Sequence, residues 1–230
     1  RAEYGDMFMT NKIDTTLGDN PDLLGVGESQ DLDFLPSVNL TYALREMMNL
    51  RFSYSRGIGR PSFRERAPYE FYEYTEGLSI LGNPDLERVI ADNLDFRWEY
   101  FFRPGEMASF SLFYKNIENP IERYKRQTTT QISTYRNGYE SEIYGIEIEF
   151  RKKLDFTSLT RDFSFGTNLT FARSVTQVDT LRLRLARQLV EDFEDTRPLY
   201  AQAPYVVNAY LNYLNTNIGL EANMAFNIEG

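Results

Sequence analysis

The stretch Asn93-Leu94-Asp95-Phe96-Arg97-Trp98-Glu99-Tyr100 alternates strictly, with a polar or charged residue at every odd position and a large apolar or aromatic one at every even position. Successive side chains of a β-strand point to opposite faces, so these eight residues predict a strand with one wet side and one greasy side. The alternation breaks at Arg103-Pro104-Gly105-Glu106, a turn signal. It resumes with Ala108, Phe110, Leu112 and Tyr114 against Ser109, Ser111 and Lys115. Two alternating runs joined by a tight turn predict a β-hairpin.

The same pattern recurs on both sides of this hairpin, which occupies residues 91–115. Upstream, 33–56 sets Val38, Leu40, Tyr42 and Leu44, then Leu50, Phe52 and Tyr54, against small or charged residues, with a short break at Arg45 and Glu46. Downstream, 141–176 carries Tyr144, Ile146, Ile148 and Phe150, then Phe163, Phe165, Leu169 and Phe171. The last hairpin, 204–229, turns at Asn215 to Asn217. Residues 57–90, 116–140 and 177–203 interrupt the rhythm with Gly, Pro and polar clusters and predict long loops, the β-prone Gln127 to Tyr135 stretch of the second being suited to extend the strands. Residues 1–32 predict a loop and a strand end. Within the third loop, Leu181 to Val190 suits either a short helix or an alternating Leu/Arg strand. Eight strands thus fall into four hairpins, and the connections alternate short and long.

Composition narrows the solvent these strands meet. The chain has 17 Phe and 16 Tyr against one Trp, yet 26% of it is charged and the mean hydropathy is −0.48. A membrane barrel reconciles the two, because it turns aromatics outward in girdles and keeps charge in its lumen and loops. No run approaches the ~18 apolar residues of a membrane helix, and strands span a bilayer only when a closed barrel satisfies their backbone. The pattern therefore predicts an all-β, antiparallel transmembrane β-barrel segment. Long connections predict the extracellular side and short turns the periplasmic side. Arg1 has no signal sequence before it, and alternation is still running at Asn227-Ile228-Glu229-Gly230, so the chain reads as an excerpt. The absence of Cys and His excludes thiol nucleophiles, Cys/His metal sites and His acid–base chemistry and leaves only carboxylates for catalysis; no metal, cofactor or catalytic residue is expected. A net charge of −9 argues against nucleic acid.

Four stretches, in order, resemble the signatures of one family: YSRGIGRPSFRERAP from Tyr54, GNPDLERVIADNLDFRWEYFF from Gly82 continued by ASFSLFYKNIENPIERY from Ala108, NGYESEIYGIEIEFRKKL from Asn137, and RPLYAQAPYVVNAYLNY from Arg197. They are similar to the later barrel of TonB-dependent outer-membrane receptors, over roughly 33–228. The resemblance implies a 22-stranded barrel around an N-terminal plug domain in the Gram-negative outer membrane. It also implies uptake of a scarce nutrient (an iron chelate, cobalamin or a glycan), driven by an inner-membrane energising complex acting on the N-terminal part. Two other classes suit the strand pattern: a non-transporting, adhesin-like barrel, favoured if the parent lacked a plug, and a soluble carbohydrate-binding β-sandwich, favoured if the chain stayed monomeric without detergent.

Two groups of residues are candidates for function. Asp95, Arg97, Glu99, Glu147, Glu149 and Arg151 share the wet parity of their strands and predict a lumen lining. Glu147 and Glu149, two apart on one face, lack the opposed placement of a hydrolytic carboxylate pair. In the first long loop, Arg60, Phe63, Tyr69, Phe71, Tyr72 and Tyr74 interleave arginine with aromatics, a combination that stacks on and hydrogen-bonds a small molecule or glycan as readily as it packs a loop. Trp98, five residues before the turn at Arg103, is expected near the short-turn interface of the membrane.

Overall fold

The computed structural model describes residues 2–10, 26–125, 132–178, 183, 194–200 and 202–230. In chain order the first elements are β1 (Ala2–Thr10), β2 (Val26–Phe34), β3 (Ser37–Arg45), β4 (Met48–Gly59), the one-turn helix α1 (Phe63–Arg66), β5 (Glu70–Glu73) and β6 (Leu78–Leu81). Then come β7 (Val89–Arg103), β8 (Glu106–Glu118), β9 (Ile121–Lys125), β10 (Ile132–Asn137) and β11 (Ser141–Lys153). β12 (Phe163–Gln177), β13 (Thr196–Arg197), β14 (Tyr205–Asn215) and β15 (Leu220–Glu229) complete the chain.

Eight of these strands form one antiparallel sheet in the order β15-β14-β12-β11-β8-β7-β4-β3, with β13 added on β12. Its outermost strands, β3 and β15, do not pair with each other. Tight turns close three of the four hairpins and residues 154–162 join β11 to β12; glycine is required where the tight turns need φ > 0, at Gly105 (φ 85°) and Gly219 (φ 65°). Register follows parity. Leu50, Trp98, Phe110, Ile148, Leu169, Val207 and Ile228 stand opposite one another in a single row across seven strands. A slip of one residue in β7 or β11 would carry a charged residue, Arg97, Glu99, Glu147 or Glu149, into it.

The long connections carry more structure than the local sequence predicts. β5, β6, β10 and β9 build a second, four-stranded sheet that joins 57–90 to 116–140, with β6 and β10 running parallel. The Gly and Pro clusters do mark chain reversals, but the short β-prone runs between them pair across two loops, which no local pattern encodes. α1 leads into this sheet. Ser62 Oγ accepts from the Glu65 amide (3.3 Å) and Glu65 Oε2 from the Ser62 amide (2.7 Å), a reciprocal cap. Ala67, Leu78, Ile80 and Leu86 are buried here. Residues 1–32, expected as a loop and strand end, contain β1 and most of β2, paired as a separate antiparallel hairpin. The ambiguous run Leu181 to Val190 lies outside the described residues except for Leu183.

Candidate functional site

The even parity of β7, β8 and β11 forms one face of the sheet, and its polar limits fall at equal spacing. On β8 the outward residues between Asn116 and Glu106 are Tyr114, Leu112, Phe110 and Ala108; on β11, between Glu142 and Lys152, they are Tyr144, Ile146, Ile148 and Phe150. On β7 the corresponding run from Asp92 to Phe102 holds Leu94, Phe96, Trp98 and Tyr100. Ten residues at ~3.3 Å each, tilted ~45°, give an apolar band about 23 Å tall, close to the ~25 Å band of outer-membrane barrels. Tyr hydroxyls mark its long-loop rim: Tyr54 donates to Asp92 (2.8 Å) and Tyr114 to Glu142 (2.7 Å). At the turn rim the Lys152 ammonium donates to Glu106 (2.8 Å) and stands 4.7 Å from the centre of the Phe102 ring, which meets Phe150 and Tyr100 edge-on. Trp98 is the third outward position between Asp92 and Phe102, well inside the band. The expectation of an interfacial Trp98 counted from the turn, whereas the apolar run reaches Phe102; Tyr100, Phe102 and Phe150 occupy the turn rim instead.

The opposite face carries a chain of alternating charge. Glu99 accepts from Arg51 Nε (2.8 Å) and from Arg97 Nε (3.0 Å); Arg97 Nη2 donates to Glu149 (2.7 Å); Arg151 Nε donates to the other Glu149 oxygen (2.8 Å). Arg97 thus reaches from β7 to β11 over the intervening strand. It can do so because β8 presents only Ser109 and Ser111 there, 3% and 8% exposed, and Arg97 donates to Ser111 Oγ in passing (3.4 Å). Two strand spacings are ~10 Å, within reach of one arginine side chain bridging to a glutamate. Asp95 and Glu147 stand outside this chain: Asp95 accepts from Ser53 (3.3 Å) and Glu147 from Asn168 (2.5 Å). The structure therefore joins Arg97, Glu99, Glu149 and Arg151 but does not pair Glu147 with Glu149. Sequence reading missed Arg51 and Ser111 as members and Asn168 as the partner of Glu147. Their wet parity was visible, but the register that aligns them was not. Nearby, the Phe113 ring covers Gly145, where an added Cβ would lie 2.3 Å from the Phe171 carbonyl oxygen and 2.5 Å from the ring, so only glycine is accommodated.

The loop candidates divide into two groups. Arg60 is engaged as a staple, binding Glu3 (3.1 Å) and Asp33 (3.3 Å), the latter shared with Arg88 Nε (2.7 Å). Phe71 is also engaged, with the Arg64 guanidinium 4.6 Å from its ring centre and Tyr69 tilted against it at 6.1 Å. Phe63, Tyr72 and Tyr74 remain open. Tyr72 and Tyr74 meet edge to face at 5.0 Å, and Tyr74 is 87% exposed. Beside them the Thr75 hydroxyl donates to Glu73 (2.7 Å), holding that carboxyl below the usual carboxylate range. Beneath, the sheet is pinned by polar staples. Arg66 donates to the Pro84 carbonyl from Nε (3.1 Å) and Nη2 (2.9 Å), Asn83 Nδ2 donates to the Tyr135 carbonyl (2.9 Å), and Arg197 binds both oxygens of Glu122 from the third connection.

Comparison with known proteins puts this geometry in context. The siderophore receptor PirA of Pseudomonas aeruginosa is similar over 89% of this chain and 35% of its own, at 19% identity and a TM-score of 0.62. PirA of Acinetobacter baumannii is similar over 88% and 29%, at 17% identity and a TM-score of 0.55. The copper transporter OprC is similar over 93% and 29%, at 16% identity and a TM-score of 0.60. The chain thus spans about a third of the length of each, and at these identities the likeness establishes the fold alone. A search of curated proteins gives no match. The family model described as "TonB dependent receptor-like, beta-barrel" matches residues 8–228, nearly the whole chain, and the protein therefore belongs to the TonB-dependent receptor β-barrel family.

Proposed function

We propose that this chain is part of the barrel wall of an outer-membrane transporter that takes up a scarce nutrient, with energy supplied by an inner-membrane complex through an N-terminal plug. The observation that carries the reading is the reversal of faces in the eight-stranded sheet: aromatic and aliphatic side chains point outward in a band about as tall as a bilayer, while ion pairs fill the other side. In this reading the outward face meets lipid, and Asp95, Arg97, Glu99, Glu147, Glu149 and Arg151 line the lumen of a 22-stranded barrel. The segments 57–90, 116–140 and 177–203 stand on the extracellular side of a Gram-negative outer membrane, and 33–56, 91–115, 141–176 and 204–229 are the spanning hairpins. Phe63, Tyr72 and Tyr74 then face incoming ligand, with Tyr69 and Phe71 supporting them and Arg60 positioning the loop. The ligand class is an iron chelate, cobalamin or a glycan; family membership and the likeness to siderophore receptors and a copper transporter support a metal-linked cargo first.

Deleting the parent gene should impair uptake of one such nutrient to the same extent as deleting the energising complex. Unchanged uptake of iron chelates, cobalamin and glycans alike would favour an adhesin-like barrel. Single cysteines at Glu73 and Lys125 should react with a membrane-impermeant reagent on intact cells, while cysteines at Glu106 and Asn215 should not. The reverse labelling would invert the topology.

A further inference from the structure

The connection between β11 and β12, residues 154–162, ends the wall differently from the tight turns. The Leu154 amide donates to the Phe163 carbonyl (2.9 Å), the Thr160 amide donates to the Thr157 carbonyl (3.2 Å), and the two threonine hydroxyls meet at 3.0 Å. Thr157 to Thr160 is thus a self-contained turn with Ser158 and Leu159 at its tip. The connection is held at both ends. Arg103 of the β7–β8 turn binds Asp155 through two hydrogen bonds (2.8 and 3.0 Å). The Asp162 carboxyl accepts from the Asn215 side chain (2.7 Å), and its carbonyl accepts from the Leu214 amide (2.8 Å).

What this anchored turn displays is apolar. Leu159 is 86% exposed and Phe156 71%, and Ile218, in the β14–β15 turn that Asp162 holds alongside, is exposed as well. One exposed leucine needs no partner, but three large apolar side chains on two turns bound to each other gather at one corner of the wall. The root of the connection is on the outward side. Arg103, which grips Asp155, also approaches Glu106 (3.3 Å), and Glu106 accepts from Lys152, whose ammonium covers the Phe102 ring of the apolar band. At the start of β12, Phe163 meets Tyr213 at 4.8 Å, so aromatic rings continue from the band to the connection. Beside the tip stands a cation: Arg161 is 3.6 Å from Asp162 and makes no hydrogen bond among the described residues.

We propose that residues 156–161 lie in the headgroup layer of the phospholipid leaflet at the short-turn end, with Phe156 and Leu159 dipping into the acyl boundary and Arg161 on lipid phosphate. The inference rests on the reading that the outward face meets a bilayer. From Lys152 at the rim to Phe156 the chain advances at most ~9 Å along the membrane normal, at ~3.3 Å per residue and a tilt of ~45°, against a headgroup layer of ~5–8 Å. A phenylalanine or leucine side chain is long enough to reach back over the difference. Apolar tips beside an arginine match an acyl boundary topped by phosphates, the arrangement of interfacial anchors.

The test uses the full-length parent, with no other cysteine, in vesicles of phosphatidylethanolamine and phosphatidylglycerol. A nitroxide is attached at Leu159→Cys or, as a reference in the middle of the band, at Leu112→Cys. Collisions with oxygen, which concentrates in lipid, and with a water-soluble nickel chelate report the depth of each label. Oxygen should dominate at both positions, with the label at 159 the shallower. Arg161→Ser should raise nickel access at 159 about fivefold, the factor expected when one basic residue leaves an anionic membrane surface, without changing the label at 112. An unchanged label in Arg161→Ser would overturn the phosphate contact. Dominant nickel access at 159 with oxygen still dominant at 112 would overturn the anchor and leave the membrane reading intact. Low access of both reagents at 159 would mean that protein covers the tip, and would overturn it equally. Dominant nickel access at both positions would overturn the membrane reading as well.

Discussion

In the four-stranded sheet of the long connections, Ile80 is 1% exposed and Leu78, Leu86 and Ala67 are buried with it, beside a few paired polar groups such as Arg66, Glu122 and Ser133. In the eight-stranded sheet the buried side chains are polar, among them Glu99, Glu106, Ser109, Ser111, Ser141, Ser174 and Thr176, while Leu40, Tyr42, Phe96 and Phe226 are exposed. One chain therefore contains two sheets with opposite insides. The smaller one obeys the rule for protein in water, that apolar area leaves solvent. The larger one buries hydroxyls and ion pairs and exposes aromatics, which is stable only where the surrounding solvent is itself apolar. Burial separates the two environments here, and composition, averaged over both, does not.

The sharpest way to break this comparison is to exchange sides on β7. Phe96→Arg would put a guanidinium into the middle of the outward band at a cost of ~2–4 kcal/mol, a large part of a margin of ~5–15 kcal/mol. Assembly, read as the heat-sensitive mobility shift of the folded parent on gels, should fall markedly. Arg97→Ser, one residue on, should cost about 1 kcal/mol, since Glu99 keeps Arg51 and Glu149 keeps Arg151. Equal losses for the two would mean that the faces had been exchanged.

The next effect belongs to the smaller sheet. Ile80→Ala removes the most buried apolar side chain of its core and should cost ~2–4 kcal/mol locally. Because the two sheets have separate insides, the damage should stay above the membrane. Protease should cut 57–90 and 116–140 faster on intact cells while the heat-sensitive mobility shift is unchanged. Coupled loss of both would show that the loops and the wall form one cooperative unit.

How far each region was legible in the sequence follows the same division. The strands of the large sheet announce themselves because alternation of Leu94, Phe96, Trp98 and Tyr100 against Asp95, Arg97 and Glu99 is a local signal and the turn at Gly105 is another. The small sheet was mostly hidden: the β-prone Thr residues of Gln127 to Tyr135 hint at a strand where β10 forms, but Leu78–Leu81 is too short to signal one and β6 finds β10 across some fifty residues. Of the candidate residues, the wet parity of Arg97 and Glu149 could be read, but their contact over Ser109 and Ser111 depends on register. Arg60 looked like ligand chemistry from its aromatic neighbours, and its partners Glu3 and Asp33 lie too far along the chain to be suspected.

Trp98 gives a smaller, spectroscopic signal. It stands four residues from Phe102 and six from Asp92 along β7, so its indole lies in the interior of the band. In the reconstituted parent, lipids brominated along the acyl chain should quench it more than lipids brominated near the headgroup. Stronger quenching by aqueous iodide than by either would remove β7 from the lipid-facing wall.

The smallest effect concerns the turn side, where neither sheet's interior is involved. Arg103 binds Asp155 through two hydrogen bonds (2.8 and 3.0 Å) and also approaches Glu106 (3.3 Å), tying the β7–β8 turn to the β11–β12 connection. Arg103 beside it holds the Asp155 carboxyl below the usual aspartate range. A carboxylate whose folded pKa is depressed stabilises the fold at pH values above its unfolded pKa of ~3.9, and that contribution is lost as pH falls through the lower, folded value. The pair is solvent-exposed, so its worth is screened and small. Asp155→Asn should therefore melt slightly earlier than wild type at pH 7, and the gap should close as the pH is lowered through the acidic range below ~4. A gap that persisted unchanged at the acid end would mean that Asp155 acts through shape rather than charge. A gap that shrank in high salt at pH 7 would identify the same bridge by a second route, because screening weakens an exposed ion pair and leaves the buried apolar contacts around Ile80 untouched.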